Sequence, residues 1–188
     1  MRLFIAIDIP DEIKRAISEL IGRLKKTGSD VKWVRPETVH ITLKFLGEVE
    51  ESKIKAITDR LEMISKRHAP FELEAVGTGV FPDYSRPRVL WIGIRQNEEV
   101  QKIYEEINTE LKALGFEEEN RAFKPHLTIG RVKSRSGLNQ TLKTLRGFSK
   151  RDFGKISVKE ILLMKSTLKP TGAEYEKIHV SALRKEDL

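Results

Sequence analysis

The 188-residue chain has no cysteine. That excludes disulfides, thiolate metal sites and thiol nucleophiles. Long apolar runs are missing too. The N-terminal MRLFIAIDIPDE has five apolar residues in a row before Asp8, far short of a signal peptide or of the roughly 18 that suggest a membrane span. The expectation is a soluble cytoplasmic protein. No GxxxxGK[ST] stretch is present to cradle ATP phosphates, and no HExxH or clustered Asp/His spacing to hold a metal. Asp8 and Asp83 would be the carboxylates of a metal-dependent hydrolase, the least favoured alternative, so neither metal nor cofactor is expected. What is there suits a globular fold, with 39% hydrophobic and 34% charged residues, enough for one medium domain or two tightly joined lobes. Thirty-five Lys and Arg against 28 Asp and Glu leave a formal charge of +7, which favours polyanionic partners.

The chain reads as α+β. LFIAI at 3–7 is a buried strand ended by Asp8 and Pro10. Asp11 is a candidate cap for a helix whose apolar positions Ile13, Ile17, Leu20, Ile21 and Leu24 share one face, with Gly28 closing it. VKWV, Pro36 and the strand-like VHITLKFLG follow, then a helix through Ile54, Ile57, Leu61 and Ile64, and a strand at 71–76. The turn-rich GTGVFPDYSRP at 77–87 reads as the central connection. After it the pattern restarts: strand VLWIGI at 89–94, Asn97 as cap, a helical stripe from Val100 to Leu114, Pro125, the strand HLTIGRV, a short helix through Leu138, Leu142 and Leu145, and two strands at about 153–164 and 174–183. Leu3 lies 37 positions before His40, and Leu90 lies 36 before His126. Strand, helix, Pro and His-x-Thr-x thus occur twice, which implies a duplicated unit. The expected fold is one bilobal domain of two similar lobes about a pseudo-two-fold axis, each an antiparallel sheet with helices outside and the active-site cleft between. Its interleaved repeat units run about 1–77 and 88–165, with 174–183 as the C-terminal strand.

On a strand, His40 and Thr42 share one face while Ile41 and Leu43 take the other; His126 and Thr128 stand likewise against Leu127 and Ile129. Two imidazoles flanking one groove suit acid–base chemistry, since one must be neutral and the other charged, and only His titrates near neutrality unaided. The residue types alone do not say which is which. The two hydroxyls can hold anionic oxygens, and a phosphodiester fits. A lone His-x-Thr-x is an ordinary half-exposed strand; the matched pair reads as catalytic. His68, at a helix C-terminus, and His179, on the last strand, read as structural or surface residues.

From Arg121 to Arg151 nine basic residues meet no acidic one, whereas Glu98 to Glu119 holds eight acids and two lysines. That asymmetry puts the second motif on the RNA or nucleotide side. Five residues beyond each His stand Phe45 and Arg131, an aromatic and a guanidinium plane able to grip a nucleobase. Simple alternation places them on the wrong face, so a bulge or strand end near Gly47 and Gly130 is required to re-aim them; the alternative for Phe45 is the core. Lys44 and Lys133 complete the candidate substrate-binding set. A non-catalytic RNA-binding module with a basic groove is the alternative to an enzyme.

From RLFIAIDIP through VHITLKFLGEV and PHLTIGRVK to the final strand, the chain resembles the 2H phosphoesterase superfamily. Within it the chain is most similar to the RNA 2′,3′-cyclic phosphodiesterase branch, first named 2′-5′ RNA ligase. The resemblance implies metal-independent opening of a terminal 2′,3′-cyclic phosphate to a 2′-phosphomonoester, with reversible 2′-5′ joining of RNA halves in some members. It implies His40 as proton donor to the departing 3′-oxygen, His126 as proton acceptor from water, and Thr42 and Thr128 as holders of the non-bridging oxygens. Its implied partners are RNA ends with a cyclic phosphate, such as tRNA fragments or nucleotides, met by a monomer.

Overall fold

The computed structural model describes residues 1–187. Among these described residues nine strands form two antiparallel sheets, with four α-helices packed against them. The four-stranded sheet has the order β3 (Ile41–Glu48), β1 (Arg2–Ile7), β8 (Glu160–Lys169), β9 (Gly172–Ala182). The five-stranded sheet has the order β2 (Val31–Trp33), β6 (His126–Val132), β5 (Val89–Ile94), β4 (Phe71–Phe81), β7 (Asp152–Val158).

Helix α1 (Asp11–Lys25) buries the stripe Ile13, Ile17, Leu20, Ile21 and Leu24 that its periodicity marks. It leaves β1 in the smaller sheet and packs on β7 and on α4 (Leu138–Arg146), in the other lobe. The reciprocal exchange is made by α3 (Glu98–Lys112). It follows β5 but packs against β3 and α2 (Ile54–Ser65), and α2 in turn lies on β8 and β9. Each half of the chain therefore lends its long helix to the sheet seeded by the other half. One continuous core, from Leu3 and Ile41 to Leu127 and Ile156, runs through both lobes.

Sequence periodicity misplaces three boundaries. The first helix is preceded by Pro10 as N-cap with no side-chain cap bond, and Asp11 is the first helical residue; its carboxylate there still suits the positive end of the helix dipole. The turn-rich 77–87 is not all connection, because β4 continues through Gly77 to Phe81. Gly77, at φ +76, takes a left-handed conformation at the irregularity in the β4–β5 pairing between Ala75 and Thr78, so glycine here bends a strand rather than ending it. The single strand expected at 153–164 is two strands in different sheets, broken at Lys159, whose carbonyl accepts from Leu183. Periodicity records alternation but not which sheet a strand joins. Asn97 does cap α3, accepting from the N–H groups of Glu99 and Val100 at 2.9 and 3.1 Å.

Candidate active site

Strand alternation builds the site. On β1 the odd residues Leu3, Ile5 and Ile7 enter the core, as do Leu90, Ile92 and Ile94 of β5. Phe4 and Trp91 consequently stand on the opposite faces. Ile41 and Leu43 beside His40, and Leu127 and Ile129 beside His126, are all buried core residues. Thr42 and Thr128 are half-buried. β3 and β6, which carry the two motifs, touch across the lobe junction.

The two imidazoles are held alike. The Nδ1 atom of His40 lies 2.9 Å from the Thr38 carbonyl, and that of His126 lies 2.8 Å from the Lys124 carbonyl. A carbonyl only accepts, so each Nδ1 carries a proton and donates. Nε2 is left in both rings as the atom that can take or give a proton. Their surroundings differ. Phe4 stacks on His40 at 4.7 Å between centroids, and Tyr175 of β9 meets it edge-on at 5.2 Å. His126 meets the edge of Phe81 at 4.9 Å. The Arg35 guanidinium donates to the Ala173 carbonyl at 2.8 Å, tying down the β8–β9 hairpin that brings Tyr175.

Burial lowers the pKa of both rings, because an imidazolium loses hydration. At His40 this is opposed by the Thr38 carbonyl and by the negative charge of Asp8. At His126 the Lys124 carbonyl opposes it, but the Arg131 guanidinium pushes the pKa further down. A carboxylate near one ring and a guanidinium near the other break the symmetry between them.

Bulges re-aim Phe45 and Arg131 at matched positions three residues beyond each His; the second falls beside Gly130 as expected, but the first falls at Leu43, ahead of Phe45 rather than near Gly47. Ile5 pairs with Lys44 while Ala6 pairs with Thr42, leaving Leu43 extra. Leu90 pairs with Gly130 while Trp91 pairs with Thr128, leaving Ile129 extra. Each extra residue restores the alternation, so Phe45 pairs with Phe4 and Arg131 with Val89 on the faces that carry the histidines. Phe45 is 70% exposed and 6.2 Å from Phe4, which excludes it from the core.

Lys44 requires correction. The same bulge turns it inward, where its ammonium donates to Asn108 Oδ1 at 2.7 Å and to the Glu117 carbonyl at 2.6 Å. It ties β3 to α3 and the following loop, on the side away from the histidines, and offers nothing to a substrate. Lys133 is exposed just past β6, its N–H bonded to the Asp30 carbonyl. The remaining histidines lie elsewhere. His68 is buried near Glu99 and Glu106 of α3, and His179 bonds Glu62 of α2 at 2.8 Å. Asp8 lies near Lys14 and Lys177 at 3.5 and 3.8 Å, and Asp83 accepts from the N–H groups of Ser85 and Arg86 in its own turn. Sequence reasoning missed Phe4, Phe81, Trp91 and Tyr175. Alternation within LFIAI and VLWIGI places Phe4 and Trp91 on the histidine faces, but the strand pairings that make them neighbours come only with the fold.

A histidine–threonine pair on the face opposite the core in each of two antiparallel sheets matches the two-histidine class of phosphoesterase. The family model described as LigT like Phosphoesterase matches the chain twice, over residues 7–91 and 92–175. The chain is 42% identical over 178 residues to the RNA 2′,3′-cyclic phosphodiesterase of Methanocaldococcus jannaschii, covering 95% of this chain and 98% of that one. It is 38% identical over 180 residues to the protein of the same name from Archaeoglobus fulgidus, covering 96% and 99%. Among solved structures, E. coli LigT complexed with 3′-AMP superposes with a TM-score of 0.76 at 28% identity over 97% of each chain. The chain belongs to the LigT-like family of 2H phosphoesterases.

Proposed function

We propose that the chain hydrolyses RNA or nucleotide 2′,3′-cyclic phosphates to 2′-phosphomonoesters, with His40 as general acid and His126 as general base across one shared groove. The observation that carries the assignment is the unequal charge beside two otherwise matched rings. Asp8 favours the imidazolium at His40, the form that must give a proton to the departing 3′-oxygen. Arg131 favours the neutral ring at His126, the form that must take one from water. Nδ1 of each ring is engaged, so both transfers run through Nε2. Thr42 and Thr128 hold the non-bridging oxygens, which gain charge in the transition state. The name of the Methanocaldococcus and Archaeoglobus relatives supports the substrate class, and 3′-AMP on E. coli LigT supports a nucleotide in the cleft.

Phe45 and Arg131 are proposed to hold the base and phosphate of the RNA end, with Lys133 on the basic rim and tRNA fragments among the substrates. A 5′-hydroxyl in place of water gives the reverse-capable 2′-5′ joining reaction in the same site. The test is product analysis with a 2′,3′-cyclic nucleotide in excess chelator. A 2′-monophosphate is expected at an undiminished rate; a 3′-monophosphate, or loss of turnover on chelation, contradicts the proposal.

The charge asymmetry makes a prediction of its own. In Asp8→Asn the carboxylate's share of the support for the His40 imidazolium is gone and only that of the Thr38 carbonyl is left, so its pKa falls further. The alkaline limb of the kcat/KM profile, which reports loss of the acid's proton in the free enzyme, shifts to lower pH. The acidic limb, set by His126, stays in place. An alkaline limb that stays put or moves up reverses the assignment.

A further inference from the structure

A cavity of about 300 Å³ opens beside His126, at the small end of the range for ligand sites, and the hydrolysis above leaves it without a task. Its floor is Trp91. Gly79 pairs with Trp91 from the neighbouring strand, and Gly93 follows two residues on, on the same face. A Cβ at Gly79 would meet the indole ring at 2.3 Å, and one at Gly93 would meet the Val76 carbonyl oxygen at 2.8 Å and the indole at 3.2 Å. Two missing side chains thus let the indole lie along the sheet with one π-face turned outward.

Phe81, 5.2 Å from Trp91, forms one wall and sets its edge against His126. Phe123 forms another, braced by Tyr104 stacked behind it at 4.1 Å. Besides His126, the polar groups lining the cavity are Gln96, Asn97, Gln101 and Lys124, of which Asn97 is engaged in capping α3, and the buried Nε1 of Trp91 is a donor with no partner. Flat aromatic walls with amide and ammonium groups at the edge suit a heteroaromatic base that carries its own donors and acceptors.

The position of the cavity says which base. In an in-line displacement the entering and leaving oxygens lie on opposite sides of phosphorus. The 3′-oxygen of the ribose that bears the cyclic phosphate leaves on the His40 side, while that ribose stays bonded to phosphorus through its 2′-oxygen, beside Phe4, Phe45 and Tyr175. The cavity lies on the His126 side, where the entering oxygen loses its proton. We infer that it is an acceptor site for a nucleoside with a free 5′-hydroxyl, its base stacked on Trp91 and its 5′-oxygen at His126 Nε2. The inference rests on the two-histidine reading above. In the transfer step the 5′-oxygen bonds to phosphorus while the bond from phosphorus to the 3′-oxygen breaks. The 5′-hydroxyl proton passes to His126, and the His40 proton passes to the 3′-oxygen. The product is a 2′-5′ phosphodiester with a free 3′-hydroxyl.

The test gives the full-length protein a 2′,3′-cyclic nucleotide with increasing adenosine, and measures the ratio of 2′-5′ dinucleoside phosphate to 2′-monophosphate. The ratio is expected to rise and then saturate, as a bound acceptor requires. Trp91→Ala, which removes the floor, and Gln101→Trp, which fills the mouth from α3, should each lower it about tenfold, in line with stacking worth about 1–3 kcal/mol per base. A ratio that grows without saturating, is unchanged in both variants or stays at zero overturns the inference. So does a Trp91→Ala protein in which transfer and hydrolysis fall in equal proportion, because the base on Trp91 would then belong to the cyclic nucleotide. Failure of the two-histidine reading has a separate signature: hydrolysis that survives His40→Ala and His126→Ala.

Discussion

Replacing His40 or His126 with alanine is expected to lower kcat on a 2′,3′-cyclic nucleotide by about 10²–10⁴-fold each, the usual contribution of a positioned acid or base. The double variant should be little worse than either single one, because the two rings act in one proton-transfer sequence and such effects do not add. Both rings pack in aromatic surroundings, His40 between Phe4 and Tyr175 and His126 against Phe81, so alanine also leaves a small void. Thermal unfolding of each variant separates that loss from the chemical one. His→Gln at either position keeps more of the volume without a group that titrates near neutrality, and should be as inactive as alanine. A glutamine variant with native turnover would remove that histidine from the mechanism.

The second large effect concerns the hydroxyls. Thr42→Val and Thr128→Val keep the branched shape that the strand accepts and remove only the donor. Each is expected to cost about 10²–10³-fold in kcat, the magnitude for one lost donor to a developing oxyanion. KM should change less, since the hydrogen bond strengthens where charge accumulates. Thr42→Ser and Thr128→Ser restore the donor and should recover most of the rate. Serine variants as slow as their valine counterparts would show that the β-branched methyl, packed on the strand, is what matters at these positions.

Much of this was legible before the fold. The stripe in α1, the Asn97 cap and the inward set of Leu3, Ile5 and Ile7 follow from periodicity and capping chemistry, because each depends only on neighbours within about one turn or one pleat. The paired His-x-Thr-x motifs were legible for the same reason. Lys44 was not. Its direction depends on Leu43 being the extra residue of a bulge, which is a property of the pairing with β1 and not of β3 alone. The same bulge corrects Phe45 in the opposite sense, moving it out of the core and onto the histidine face. Tyr175 reaches His40 from the far end of the chain, and the charge of Asp8 acts on it from just past the end of β1, relations of long sequence separation that no local pattern encodes. The exchange of α1 and α3 between lobes is of the same kind, since an amphipathic stripe specifies that a helix is buried but not on which sheet.

The shared groove is the claim on which the rest stands. A crystal structure of the protein with a 2′-nucleoside monophosphate, the product of the proposed reaction, tests it most directly. The account predicts one phosphorus with its oxygens within hydrogen-bond reach of Nε2 of both His40 and His126, and with Thr42 and Thr128 on the remaining oxygens. A phosphate that touches only one of the two motifs, with the other ring turned to solvent, would contradict it.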